Sequence, residues 1–384
     1  MRTVMLVAGE ASGDQHAANL FIELKKLIPG ICGIGMGGQK MAEAGIDVRY
    51  DSSNIAVIGL VEVLKHFGEI RAALKLMQKI ACEEKPDLLV CIDYKEFNFK
   101  LATRAKRCGI KVLFYVSPQV WAWRQGRVKK YGEVIDMMAV IFPFEVPFYQ
   151  RHDIPVRYVG HPSVDKARPT LSKREALRRF GLENGGPVIG LLPGSRGHEI
   201  RRMLPIMLEA AERLSARFPT ARFILPQAAT VSDALLGDYL GQTKIPVRVL
   251  KDVFYDAVQC CDAVITTSGT ATLELALLGV PMAITYRVAA LTYLLGRRLI
   301  KIPYIGLPNI IAGRVIVKEF VQHDANAEAL SAEIVRILTD RAYAEAMRGH
   351  LSQLKETLGE GGGSRNMAEL VAQMLETAPA PTAA

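Results

Sequence analysis

The chain has 384 residues, half of them hydrophobic and 23% charged, with a formal net charge of +9. That length accommodates two hydrophobic cores of ordinary size, and the composition excludes a disordered or collagen-like protein. The basic balance admits nucleic acid, an anionic membrane or phosphorylated substrates as partners. The cations are dispersed and carry no zinc-finger, homeodomain or RNP-type pattern, which excludes nucleic acid.

The first apolar run, residues 4–8, is too short for a secretory signal and passes at once into Gly9-Glu10. It reads as a buried strand, followed by a loop over residues 9–14 and a helix to about residue 27. Residues 33–38 read as a glycine-rich turn after another short strand. Between residues 55 and 77, Leu60, Val61, Leu64, Phe67, Ile70, Leu74 and Met77 fall at helical spacing. Such a stripe either packs into a core or rests its apolar face in a bilayer surface. Further strands are expected at 87–92, 111–116 and 137–141.

The pattern pauses near residue 160, a charged helix follows at 173–180, and strands resume at 188–192, 222–225, 247–250, 263–266 and 282–285. Strands alternating with helices imply parallel sheets covered on both faces. The expected class is therefore α/β, with two Rossmann-like domains whose parallel sheets face a cleft. Their bounds are residues 1–160 and 161–345. The C-terminal helices, residues 346–384, either return to the first domain or exchange with a neighbour in a homodimer, and the final Pro/Ala residues fray. No segment reaches the roughly 18 uncharged apolar residues of a membrane span. Residues 293–300, with Arg297, Arg298 and nearby Lys301, offer a second basic membrane contact. The six cysteines (Cys32, Cys82, Cys91, Cys108, Cys260 and Cys261) show no metal-ligand spacing. They read as reduced, mostly buried thiols of a cytoplasmic protein with no metal and no cofactor.

Candidate chemistry concentrates where strands hand over to helices, because helix N-termini there offer free amides and partial positive charge. Thr266-Thr267-Ser268-Gly269-Thr270 is one such turn, suited to a diphosphate. Glu274, one turn further on, either accepts hydrogen bonds from a ribose or simply favours the helix dipole. Leu192-Pro193-Gly194-Ser195-Arg196 is another. Arg196 stands at the wrong pole of the following helix unless an anion lies between it and the backbone amides. Gly9-Glu10-Ala11-Ser12-Gly13-Asp14 carries two carboxylates and suits neutral sugar hydroxyls better than a pyrophosphate; Ser12 or Asp14 alternatively caps the helix. Asp93, after its strand, and its neighbours Tyr94, Lys95, Glu96, Phe97 and Asn98 form a polar and aromatic cluster. Glycosyl transfer to a hydroxyl needs a base, for which Asp93 is the first candidate and Glu10 the second. Trp121 and Trp123 either stack on sugars or fill a core. With no DxD triplet, P-loop or nucleophile elbow, a departing diphosphate would rely on Arg196 and helix amides.

Five motifs in order, GEASGD (residues 9–14), SPQVWAWR (117–124), LPGSR (192–196), TTSGTATLE (266–274) and GLPN (306–309), resemble the lipid-A-disaccharide synthase family over nearly the whole chain. The resemblance implies a GT-B fold and an inverting transfer of 2,3-diacylglucosamine from UDP to the 6-hydroxyl of 2,3-diacylglucosamine 1-phosphate. It implies Asp93 as base, with Arg196, Glu274 and Asn309 in the donor site and Glu10 and Ser12 on the acceptor side. Asp14, Asn98, Gly194, Ser195, Ser268, Gly269 and Thr270 complete the expected substrate-binding set. It further implies that the segment around 57–77, through Leu60, Val61, Leu64 and Phe67, touches the cytoplasmic face of the inner membrane. One departure stands out: the family's Asp-x-Pro-Asp-Phe-Asn reads Asp93-Tyr94-Lys95-Glu96-Phe97-Asn98 here. The rival readings are another GT-B enzyme, such as the peptidoglycan lipid N-acetylglucosaminyltransferase or a UDP-sugar 2-epimerase, and a non-catalytic binder of nucleotide sugars or lipids.

Overall fold

The computed structural model describes residues 2–54, 67–122, 125–183, 185–288 and 302–376. Leu60, Val61, Leu64, Trp123, Arg124, Arg297, Arg298, Lys301 and the terminal Pro/Ala residues lie outside that set. The chain divides into two compact units, Met1–Pro162 with Gly361–Ala384, and Ser163–Glu360.

The first unit holds seven strands: β1 (Thr3–Ala8), β2 (Cys32–Gly37), β3 (Asp47–Asp51), β4 (Leu88–Ile92), β5 (Lys111–Tyr115), β6 (Met137–Val140) and β7 (Val156–Tyr158). They pair in the order β3-β2-β1-β4-β5-β6-β7, every pair parallel. The second unit holds β8 (Val188–Leu192), β9 (Arg222–Gln227), β10 (Val247–Lys251), β11 (Ala263–Thr267), β12 (Met282–Tyr286) and β13 (Glu319–Val321). Their order is β10-β9-β8-β11-β12-β13, again all parallel. β4, β8 and β11 are buried at every position; β4 and β8 are unbroken apolar runs, as strands covered on both faces require, and β11 also buries Thr266 and Thr267 at its carboxyl end. Both sheets reverse strand order beside their first strand, and ligands of such sheets lie outside the carboxyl ends of the strands there.

Three expectations need correction. The glycines at 33–37 lie within β2, not in a turn after it. Side chains there are excluded by neighbours: a Cβ on Gly33 would lie 2.7 Å from the Phe21 ring, and one on Gly35 would lie 1.8 Å from the Leu6 carbonyl oxygen. The loop expected over 9–14 shrinks to Gly9-Glu10, because the helix Ala11–Leu27 starts directly after it. Cys82 and Cys108 are joined in a disulfide and are not reduced thiols. The helices Phe67–Glu84 and Lys95–Arg107 pack side by side and bring the two Cα atoms to 5.6 Å, within bonding reach, which their spacing along the sequence does not disclose.

The C-terminal helices part company. Arg341–Leu358 packs within the second unit against the helix Thr270–Leu277. Gly363–Glu376 packs on Ala11–Leu27 and adds Met367, Leu370, Val371 and Leu375 to the core around β1. Its Asn366 side chain donates to the Val159 carbonyl at 3.1 Å, and Gly160 (φ 99°) passes so close that a Cβ would lie 3.3 Å from Gly363 Cα.

The segment after β5 is clamped by a buried carboxylate. Glu145, 2% exposed, accepts hydrogen bonds from the Ser117 hydroxyl, the Trp121 indole at 3.0 Å and the Phe142 amide at 3.0 Å. Trp121 is itself buried and meets Phe144 edge-on, so it fills the core. Burial outweighs these three donors and pushes the Glu145 carboxyl up to about 7. Because the folded state then holds its proton more tightly than the unfolded state, this group's stabilisation is complete below about pH 4.5 and is lost as pH rises through 7. Relative to Glu145→Gln, the native chain should lose about 3 kcal/mol of unfolding free energy between pH 4.5 and 8. Urea unfolding of both proteins at the two pH values measures this, and a pH-independent difference would contradict it.

Candidate functional site

In the first unit, register brings two acidic residues to one edge. Ala8 of β1 pairs with Ile92 of β4, so Gly9-Glu10 and Asp93-Tyr94 leave neighbouring strand ends together. Asp93 (φ 49°) and Tyr94 (φ 47°) are both left-handed, a rare conformation for two successive residues with side chains. The turn is held from behind. Asp93 N–H donates to the Tyr115 carbonyl at 3.2 Å, and the Asn98 side-chain amide donates to the Asp93 carbonyl at 2.7 Å and the Ile92 carbonyl at 3.3 Å. Tyr94 lays its ring across Gly9, where a Cβ would come within 2.3 Å of it. Burial, and after it the charge of Glu10, raises the Tyr94 phenol above its usual range. Asp93 remains partly exposed and Ser12 is exposed on the first turn of its helix.

Two residues expected to bind substrate here turn inward. Asn98 is fully buried and braces the Asp93 turn. Asp14, also buried, accepts from the amides of Gly38 at 2.7 Å, Lys40 at 3.1 Å and Met41 at 3.2 Å, so it fixes the start of the short helix Gln39–Glu43. Glu96, the departure from the family motif, is held by the Arg127 guanidinium, with the longer contact at 3.0 Å.

In the second unit a pocket of about 640 Å³ opens at the carboxyl ends of β8 and β11. Gly194, Ser195, Arg196, Ser268, Gly269, Thr270 and Glu274 all line it. Gly269 and Thr270 are exposed at the N-terminus of the helix Thr270–Leu277. The Ser268 hydroxyl donates to the Ile305 carbonyl at 2.6 Å. The Arg196 side chain is 58% exposed and contacts Glu199 at 3.5 Å.

The LPGSR turn differs from the expected cradle. Its own anion is Glu199, buried, whose Oε2 accepts from the amides of Ser195 at 3.0 Å and Arg196 at 3.2 Å. Gly194 (φ 113°) must be glycine, since a Cβ would sit 2.4 Å from that same oxygen. Those amides are therefore occupied, and the Arg196 guanidinium is what the turn presents. Glu199 was legible in principle as a carboxylate three residues into a helix.

Asn309, expected in the donor site, is fully buried and saturated. Its amide donates to the Val317 carbonyl and to Glu319, each at 2.7 Å, and its oxygen accepts from the amides of Ile316 at 2.7 Å and Val317 at 3.0 Å. With both donors and both acceptor positions filled, it organises the 305–319 segment and has no capacity left for a ligand. Tyr255 carried no signal in the sequence. Its hydroxyl donates to Glu274 at 2.9 Å at the pocket wall, and burial raises the Glu274 carboxyl above its usual range, against the opposing effects of Tyr255 and Lys166.

A family model described as lipid-A-disaccharide synthetase matches residues 4–375. The lipid-A-disaccharide synthase of Geobacter sulfurreducens is 50% identical over 97% of both chains. That of Nitrosococcus oceani is 48% identical over 97% of this chain and 96% of its own, and that of Coxiella burnetii (strain Dugway 5J108-111) is 39% identical over 97% and 99%. Among solved structures, UDP-GlcNAc 2-epimerase from Neisseria meningitidis superposes with a TM-score of 0.64 at 14% identity, covering 97% of this chain and all of that one. A glycosyltransferase from Rickettsia africae superposes with a TM-score of 0.59 at 14% identity, covering 99% of each chain. The structural likenesses establish the GT-B fold. The sequence matches span both Rossmann-like units, and on them the chain belongs to the lipid-A-disaccharide synthase family, glycosyltransferases of lipid A biosynthesis.

Proposed function

We propose that the chain transfers 2,3-diacylglucosamine from UDP to the 6-hydroxyl of 2,3-diacylglucosamine 1-phosphate, giving the β-1,6-linked disaccharide 1-phosphate and UDP. The observation that carries the division of labour is the opposite character of the two strand edges. One offers the carboxylates Asp93 and Glu10; the other offers the exposed guanidinium of Arg196 and a free helix N-terminus at Gly269-Thr270.

The acceptor oxygen attacks the anomeric carbon while Asp93 takes its proton. The bond from that carbon to the diphosphate breaks, and its electron pair leaves with UDP. Direct attack inverts the anomeric centre. Arg196 and the amides at Thr270 and Ala271 stabilise the negative charge that grows on the diphosphate. Gly194, Ser195 and Ser268 shape the pocket wall, and Glu274, held by Tyr255, accepts ribose hydroxyls. Glu10, with exposed Ser12 beside it, orients the acceptor sugar. Because both substrates carry acyl chains, the enzyme works at the cytoplasmic face of the inner membrane, touching it through Leu60, Val61, Leu64 and Phe67. Phe67 is 57% exposed at the start of its helix, and no helix among the described residues is long and apolar enough to cross a bilayer.

Incubation with both acylated substrates in detergent should yield disaccharide and UDP in equal amounts. Asp93→Ala should lower kcat by a factor on the order of 10²–10⁴ with UDP affinity nearly unchanged; near-normal turnover would remove Asp93 as the base. Arg196→Ala should lose on the order of 10²-fold in kcat, since it meets charge developed in the transition state. Tyr255→Phe should raise the KM for the nucleotide sugar about tenfold and leave kcat in place. Steady-state kinetics with each substrate varied in turn separates these outcomes.

A further inference from the structure

We infer that a groove on the flank of the first unit binds the headgroups of anionic phospholipids in the bilayer on which the enzyme works. This deepens, and rests on, the membrane contact proposed above.

The groove runs between the helices Phe67–Glu84 and Lys95–Arg107 and encloses about 880 Å³. Its lining is amphipathic. Leu74 and Phe99 provide apolar surface, while Lys75, Lys79, Lys100, Arg104 and Arg107 supply five cations. Glu83, 3.9 Å from the Lys79 ammonium, is the one carboxylate in that lining. Cys82 also lines it, so the disulfide to Cys108 ties the two walls together.

Neither strand-edge site claims this groove. Strand-edge chemistry sits at Asp93, before the helix Lys95–Arg107 begins, and that helix carries its cations away from it. At about 1.5 Å per residue, Arg107 lies about 18 Å along the axis from Lys95. A phosphate held between Arg104 and Arg107, at the far end of the helix, is therefore separated from Asp93. The helix Phe67–Glu84 also exposes Phe67 and Leu76, by 57% and 38%, and the apolar positions Leu60, Val61 and Leu64 immediately precede it in sequence. Apolar side chains entering a bilayer surface beside a cluster of cations match a membrane with negatively charged headgroups.

The test is vesicle sedimentation of the full chain. It compares phosphatidylcholine alone with phosphatidylcholine carrying one third phosphatidylglycerol, using the native protein and Lys75→Ala/Lys100→Ala/Arg104→Ala. The native chain should bind the anionic vesicles on the order of 100-fold more tightly, with most of that gain erased in concentrated salt. The triple variant should lose most of the gain, yet bind neutral vesicles and turn over detergent-dispersed substrates as the native chain does. A second variant, Leu64→Ser/Phe67→Ser, should weaken binding to both vesicle types. If the triple variant keeps the full anionic preference, the groove is not the headgroup site. If it shows a raised KM for the acceptor in detergent, the phosphate held there belongs to substrate and the inference fails. If the native chain binds neither vesicle, the membrane reading itself falls.

Discussion

The hydrogen bond from the Asn98 side chain to the Asp93 carbonyl, 2.7 Å long, is the constraint on which the acidic edge depends. A strand of L-residues does not turn through two left-handed positions without cost; each such position is unfavourable by about 1–3 kcal/mol. Here the cost falls on Asp93 and Tyr94, the residues that leave the sheet next to Glu10. One buried amide gathers the carbonyls of Asp93 and Ile92, and the ring of Tyr94 covers Gly9. The side chains that brace the turn are therefore distinct from the carboxylate the turn presents. An asparagine that had served as a ligand would have given up its hydrogen bonds to these two carbonyls.

The same separation recurs in the second unit. Glu199 satisfies the amides of Ser195 and Arg196 and thereby holds the backbone of LPGSR in one shape. Asn309 and Glu319 do so for the segment ending in GLPN, where Glu319 accepts from the amides of Ile305 at 2.9 Å and Gly306 at 3.0 Å. Family motifs thus contain two kinds of residue that look alike in sequence. Some face the pocket, as Arg196 and Glu274 do, and some are engaged internally, as Asn309 and Asp14 are.

This explains what was legible beforehand and what was not. Alternating strands and helices revealed two parallel sheets because buried parallel strands are continuous apolar runs, as at β4 and β8. The short edge strands β3, β7 and β13 left no such run and were missed. Asp93, Arg196 and Gly269 do lie where the sequence pattern put them, just beyond strand ends, because topology dictates where those ends lie. Direction of a side chain does not follow from position: Asn98 and Asn309 stand in the first turns of helices near the strand ends but point into the protein. Tyr255 and the Cys82–Cys108 pair were invisible because their partners are remote in sequence and selected only by packing.

In the transfer proposed above, the carboxylate and the guanidinium each depend on their own local partners. A carboxylate beside a guanidinium has its pKa drawn down, and it becomes a poorer acceptor for an alcohol proton. A guanidinium beside a free carboxylate is likewise less able to stabilise a departing diphosphate. Arg196 does have a carboxylate neighbour in Glu199, but the nearer oxygen contacts of Glu199 are to backbone amides, and the guanidinium stays more than half exposed. Glu96 is similarly held by Arg127, away from the role of Asp93. Glu199 and Glu96 are thus engaged by local partners, while Asp93 stays partly exposed and Arg196 more than half exposed. At the departure from the family motif, Glu96, on the helix that follows Asp93, is engaged by an ion pair with Arg127, while the Asp93 turn is held separately by Asn98.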